Sequence, residues 1–461
     1  MPASGDLQYG VNQLDQEKVG YDEAQVFYEG KPQEVFSSAE VKRLLRKSML
    51  HQLKNLNFAR IPVDEVVSRL RVVGATVTDD NGDPYPDAQA ELDRVMSENR
   101  LDTELNRLWH NVSQYSDGYL FVWPRQDGEH ITGVDVLVQN PRTCTVVYSE
   151  ERQLEADFQL KLWCSDRTPS KEVHQSRVYY PDGRIEYYET KPGKSCDQKR
   201  SWAHVDTLSS DYGLPLFHFS VPWPEHYWAY TAQLIINKLV ITQVATVERL
   251  GFPQRYGLLN PKRDDVRERE FEGDGLDDDD ETDLPPQRLR NEPGAFHELE
   301  YDSVGEFSAA NPSAFLTPMD WYVRAISQLT GTPMDLIDPQ LRGQVSGESL
   351  KVSKEPLTNK VRDRHQHYTG TLKDALEHAL WLLGFEDAHV SITWESVEPA
   401  VAEEDPADVE INRAIRVISS LNDLASASAV GAISPQTAQE IVDQLLVLVH
   451  GTTGTKKGTT V

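Results

Sequence analysis

The stretch AQLIINKLVITQVATVERL (232–250) constrains this chain more than any other. It has helical periodicity, but its apolar residues fall on more than one side, so a single core face cannot satisfy it. Asn237, Lys238, Gln243 and Glu248 interrupt it, and it falls short of the uninterrupted apolar run that a membrane span requires. The helix, expected over about 227–250 and ending at Gly251 and Pro253, therefore needs protein partners along much of its length, from other subunits among them.

What precedes that helix is mixed. SSAEVKRLLRKSMLHQLKNL opens with a capping box, Ser37 with Glu40, and continues with helical spacing, as does AELDRVMSENRLDTELNRLWHNVSQYS. Strand signals then take over in GYLFVWP, GVDVLV, CTVVYS and DFQLKLWC. In RVYYPDGRIEYYE, Asp182-Gly183 forms a hairpin turn between alternating aromatic runs. Residues up to about 222 are expected to form one α+β domain.

An insertion of about sixty residues follows. Its segment 262–283 holds 12 acidic and 4 basic residues, a solvated loop by composition and a surface for partner docking or charge repulsion on the sharper reading. Beyond it the spacing predicts a helix over 314–331, a Gly/Pro-rich loop over 332–347, and a long helix over 348–383, kinked or restarted near Pro356. HVSITWESV reads as a strand and EPAVAEEDPAD as a linker. A helical hairpin closes the chain, with Ile411, Ile415, Ile418 and Leu421 on one face and Ser434-Pro435 starting its second helix, before a low-complexity tail.

Charge and cysteine usage narrow the function. With 46 basic against 74 acidic residues the net charge is −28, which argues against wrapping nucleic acid on a basic surface but not against letting it pass. Cys144, Cys164 and Cys196 are an odd set without CxxC spacing, so no disulfide framework or cysteine metal site is expected, and the chain reads as a cytosolic product with no membrane anchor.

Motifs for chemistry fail one by one. In KPGKS the position five before Gly193 is Tyr188, and in RGQVSGESLK Gly343 and Gly347 are one residue too close, with Glu348 in place of lysine, so neither is a phosphate cradle. GxSxG is absent, and Ser346 and Ser349 lie five and two residues before Lys351 rather than three. SGESLK reads as a helix start capped by Ser346. His365 and His367, two apart on a helix, point to different faces, and HELEY at His297 lacks the second histidine of a zinc pair. DDNGD (79–83) is an Asn81-Gly82 turn sooner than a calcium loop. Trp109, Tyr115, Tyr119, Phe121 and Trp123 recur at core spacing, which favours packing over base stacking. No catalytic residue, metal site or cofactor is expected.

The order of parts resembles the portal protein of tailed bacteriophages, in the subgroup of long-tailed phages of Gram-positive and actinobacterial hosts. The resemblance spans roughly 25–450 and rests on LWHNVSQYSDGYLFVWP, YGLPLFHFSVP, VERLGFPQRYGLL, LTGTP and QVSGESLKVSKEPL in that order. It implies an α+β portal fold: a wing over 1–225, stem helices over 226–253 and 313–331, and a clip over 254–312 between them. A tunnel loop over 332–346, a long wing helix with a returning strand over 347–400, and a crown with a mobile tail over 401–461 follow.

It also implies a homo-oligomeric ring, typically of twelve, at the capsid portal vertex of the virion, assembled in the host cytoplasm and passing double-stranded viral DNA. Implied partners are the terminase large subunit, the major capsid protein and the head-to-tail connector or adaptor, with no membrane. Gln340, Arg342, Gln344 and Lys351 would face the channel, Arg342 foremost, with Lys354 a further basic residue. Asp277, Asp278, Asp279, Asp280 and Glu281 would form the docking surface of the clip. Twelve copies would carry about −340, so the lumen would repel phosphates and keep DNA mobile. Two alternatives stand beside this: a metal-dependent hydrolase or nuclease built on Asp277 to Asp283, and another oligomeric protein of the phage head.

Overall fold

In the computed structural model the described residues are 5–31, 56–128, 130–166, 173–190, 202–251, 255–258, 303–306, 312–338 and 347–397. The architecture below belongs to the unit Met1–Glu395. The expected helix over 37–56 lies outside the described residues apart from Leu56, and the crown over 401–461 lies wholly outside them.

The chain opens with a helix that sequence periodicity did not disclose, α1 (Gly5–Tyr28). A short helix α2 (Ile61–Val67), strand β1 (Val72–Thr78), and helices α3 (Pro86–Glu98) and α4 (Leu101–Tyr115) follow. The helical pattern over 90–116 is thus two helices, because Arg100 takes a left-handed conformation (φ 50°) between them. Eight strands come next: β2 (Asp117–Asp127), β3 (His130–Gln139), β4 (Cys144–Tyr148), β5 (Ala156–Asp166), β6 (Val173–Tyr179), β7 (Arg184–Thr190), β8 (Trp202–Ser209) and β9 (Leu216–Ser220).

These strands form two antiparallel sheets, ordered β3-β2-β9 and β4-β5-β6-β7-β8. Alternation along β5 and β6 gives the five-stranded sheet two faces. One buries Phe158, Leu160, Leu162 and Val178 against Leu7, Val11 and Leu14 of α1. The other packs Cys144, Val146, Tyr179 and Ile185 against Tyr119, Phe121 and Leu216 of the three-stranded sheet. Buried Gln159 joins the two sheets by donating to the Leu216 carbonyl and accepting from its N–H, both at 2.8 Å. The Asp182-Gly183 turn is formed as expected: Gly183 has φ 81° and Asp182 accepts from the Arg184 amide.

Helix α5 (Tyr230–Gly251) leads to β10 (Arg255–Leu258), which pairs antiparallel with β11 (Ser303–Glu306), so the two ends of the charged insertion meet side by side. Helix α6 (Leu316–Thr330), a single turn α7 (Met334–Ile337), the long α8 (Gly347–Leu382) and β12 (His389–Trp394) complete the order. Helix α8 runs through Pro356 without restarting. Ile236 and Val240 of α5 pack on Val323 and Ile326 of α6, with Ala59 and Ile337 closing that core. Strand β12 returns to pair antiparallel with β1, Val77 facing Val390. No described helix is long and apolar enough to cross a membrane.

Trp109 of α4 ties the parts together. Its indole stacks on Tyr368 of α8 at 5.1 Å and meets Phe219 of β9 at 5.6 Å and Trp394 of β12 at 5.4 Å. The sequence reading of the α4 and β2 aromatics as core holds for Trp109, Tyr119 and Phe121, all buried.

Candidate functional site

The described structure defines the frame around the proposed channel loop. Helix α6 ends in a left-handed Gly331 (φ 66°) whose N–H closes on the Ser327 carbonyl, the geometry that glycine adopts without steric cost at a helix C-terminus. The Ser327 hydroxyl donates to the Thr332 carbonyl at 2.7 Å, and the Thr330 hydroxyl to Ile326 O at the same distance, so the exit from α6 is pinned. After α7 the chain passes through 339–346 and re-enters at Gly347 as α8.

A buried ion cluster holds this frame. Glu225, whose side chain is 2% exposed, lies just before α5 and accepts from Lys360 Nζ at 2.8 Å and from Arg364 Nε at 2.7 Å, both on α8. Lys360 also donates to the Thr330 carbonyl at the end of α6, at 2.7 Å. Three elements distant in sequence are thereby fastened by one carboxylate and two cations. Burial alone would push the Glu225 carboxyl up, but the Lys360 ammonium and Arg364 guanidinium outweigh it and hold it below the usual carboxylate range.

Beside it, fully buried His226 donates through Nε2 to the Ala24 carbonyl at 2.9 Å, while its Nδ1 has no partner. Burial pushes this imidazole down to about 4.

Of the residues singled out from sequence, Lys351 lies in the second turn of α8, and its side chain is not among the described ones. Gln340, Arg342 and Gln344, and Asp277, Asp278, Asp279, Asp280 and Glu281, lie outside the described residues, as does His297. Asp79 accepts from the amides of Asn81 and Asp83 at 2.9 Å, which makes DDNGD the turn expected of it. On α8, His365 stacks on Trp394 at 4.4 Å while His367 is exposed, so the two do not converge. Among the described residues no group of three His, Cys, Asp or Glu could hold a metal ion.

The Glu225 cluster was missed in the sequence, although two signals for it exist. Glu225 is the lone charge in VPWPEHYW, and Lys360 and Arg364 place like charges four apart on one helix face, an arrangement unfavourable unless an anion lies between them.

A family model for the phage portal protein, SPP1 Gp6-like, matches residues 9–266, more than half of the chain. The chain belongs to this family, and it is a portal protein, a structural protein of the bacteriophage virion and not an enzyme. No curated protein matches the sequence.

Similar solved structures include a chain from the neck of an empty gene transfer agent particle with C6 symmetry, 12% identical, TM-score 0.40, covering 89% of this chain and 95% of that one. A chain from the neck of the native particle with C12 symmetry is 14% identical, with TM-score 0.38 and coverage of 92% and 98%. A chain from the virion of the native particle is also 14% identical, with TM-score 0.34 and the same coverage.

Proposed function

We propose that copies of this chain close into a ring of about twelve around a channel for double-stranded DNA, at one vertex of the capsid of a long-tailed phage of a Gram-positive or actinobacterial host. The observation that carries the ring is the apolar surface left open on the α5–α6 pair. Behind it lies a packed core, yet on α5 Leu234 is 36% exposed and Val247 50%, and on α6 Trp321 is 64% exposed and Leu329 59%. Water-facing apolar side chains on two packed helices are satisfied by a head-to-tail contact that repeats until it closes.

In this reading the α5–α6 pair is the stem, the insertion between them the clip, and 332–346 the loop at the channel. The pairing of β12 with β1 supports a long helix and returning strand that belong with the wing. The acidic balance of the chain keeps DNA from adhering, with Arg342 the leading basic contact. The clip, including Asp277 to Glu281, receives the terminase large subunit during packaging and the head-to-tail connector afterwards, while the wing contacts the major capsid protein. Assembly takes place in the host cytoplasm.

The test is the mass and symmetry of the purified protein, by native mass spectrometry with negative-stain class averages. A ring with a central hole is expected. A compact monomer at high protein concentration, unchanged in the presence of capsid protein, removes the reading.

A further inference from the structure

The face of the five-stranded sheet that meets the three-stranded one ends in an unusual row. The register places Lys161 of β5 opposite Arg177 of β6, and Arg177 opposite Tyr187 of β7. All three are half-buried. The Lys161 ammonium lies 3.7 Å over the Phe121 ring, and the Arg177 guanidinium sits between Trp163 and Tyr187, 5.0 and 4.8 Å from their centroids.

Two like charges directly opposite on antiparallel strands repel, and partial burial strengthens the repulsion. Contact with aromatic faces offsets part of that cost but provides no acceptor for the N–H groups.

Among the described residues no carboxylate pairs with either cation. Lys161 makes neither an ion pair nor a hydrogen bond there, Arg177 makes no ion pair, and the buried Arg177 Nε has no acceptor. Glu189 of the next row accepts from Gln175, and Asp206, opposite Tyr187 in the same row, lies beyond β7 from Arg177 and accepts from the Thr207 amide. Two residues along β6 on the same face, the buried Tyr179 hydroxyl approaches the Arg177 side chain, a neutral group that leaves the positive charge unbalanced. Polar atoms left unmatched in this way call for a ligand that brings acceptors.

We propose that Lys161 and Arg177, with the aromatic rings that flank them, form a binding site for a phosphate-class oxyanion on the sheet. Two adjacent cations match an anion of about two charges, and a phosphate carries roughly −1.5 to −2 at neutral pH with three or more acceptor oxygens. The guanidinium can present two parallel N–H groups to such an oxyanion while the ammonium binds a third oxygen.

The experiment melts the full-length protein in sodium phosphate and in sodium chloride at equal ionic strength. It compares wild type with Lys161→Met, which keeps the aliphatic stem over Phe121, and with Arg177→Met. Phosphate is expected to raise the wild-type Tm in a saturable manner, with apparent affinity at least tenfold weaker in both variants. In chloride alone, Lys161→Met should melt at or above wild type, because the repulsion across β5 and β6 is gone.

A single-stranded oligonucleotide that reproduces the stabilisation identifies the source as a phosphodiester backbone. Stabilisation by inorganic phosphate alone identifies a free anion. Equal Tm in the two salts, a phosphate shift that survives in both variants, or a Lys161→Met protein that melts well below wild type in chloride overturns the site, since the last result means that the lysine already has its partner within the chain.

Discussion

Replacing Glu225 with glutamine tests the mechanical core of the molecule. The change keeps the shape of the side chain and removes the one anion between Lys360 and Arg364, so two cations one helical turn apart lose their counter-ion in a site where the carboxylate is 2% exposed. Removing one member of a buried ion pair costs about 3–5 kcal/mol, mostly from the charge left behind. Spread over the unfolding entropy of a unit of nearly four hundred residues, that corresponds to a fall in Tm of about 4–6 °C at fixed protomer concentration.

Hydrogen exchange should report the same loss locally. The amides that close the end of α6, Gly331 and Thr332, should exchange faster, because Lys360 also fastens the Thr330 carbonyl and is left to a poorer acceptor. The pH dependence follows from the lowered carboxyl. The stabilisation is fully present above the ordinary carboxylate range and disappears as pH falls through the depressed folded value, and the variant should lack this slope. A loss below about 0.5 kcal/mol, the value of an ordinary exposed pair, would refute the reasoning.

Four further outcomes are expected. Gly118→Ala should destabilise by about 1–3 kcal/mol in chemical denaturation, because its Cβ would stand 2.5 Å from Val112 Cγ2 and 2.9 Å from Leu108 Cδ1 in the packed seam between α4 and β2. His226 and His378, both pushed down to about 4 by burial, should weaken the fold as pH drops from about 6.5 toward 4, when the unfolded chain gains protons that the folded one refuses; each contributes a loss of about 3 kcal/mol, read from melts of His226→Gln against wild type across that range. Trp321→Glu should leave the Tm of the subunit nearly unchanged but abolish the ring in native mass spectra, and an unaltered ring would exclude this face as the subunit contact. Arg342→Ala should assemble normally and package DNA poorly, and normal packaging would remove the loop assignment.

Features set by neighbouring residues were legible in the sequence. The Asp182-Gly183 hairpin, the strands around it, the stop of α6 at Gly331 and the DDNGD turn depend on φ/ψ preferences and on side chains that reach their own backbone. Helix α1 was not legible: its buried positions are interrupted by exposed charges, and they make a face only once the sheet stands behind Leu7, Val11 and Leu14, with Tyr115 and Tyr230 of other elements meeting Tyr21 and Phe27. The α5–α6 pair was read as helices, but which side is core and which side is open depends on Val323 and Ile326 meeting Ile236 and Val240.

The sequence alone determined the class of molecule: a mixed chain with strongly acidic balance, no organised nucleophile or phosphate motif, and a helix with more apolar surface than one core can absorb. Tertiary structure alone decided the partners. It brought Val390 to Val77, set Glu225 between Lys360 and Arg364, and placed Lys161 directly opposite Arg177. The physical reason is range: turn and helix preferences act over a few residues and are written locally, whereas the energy of a charge depends on what surrounds it, and the surroundings of these charges come from segments that only folding brings together.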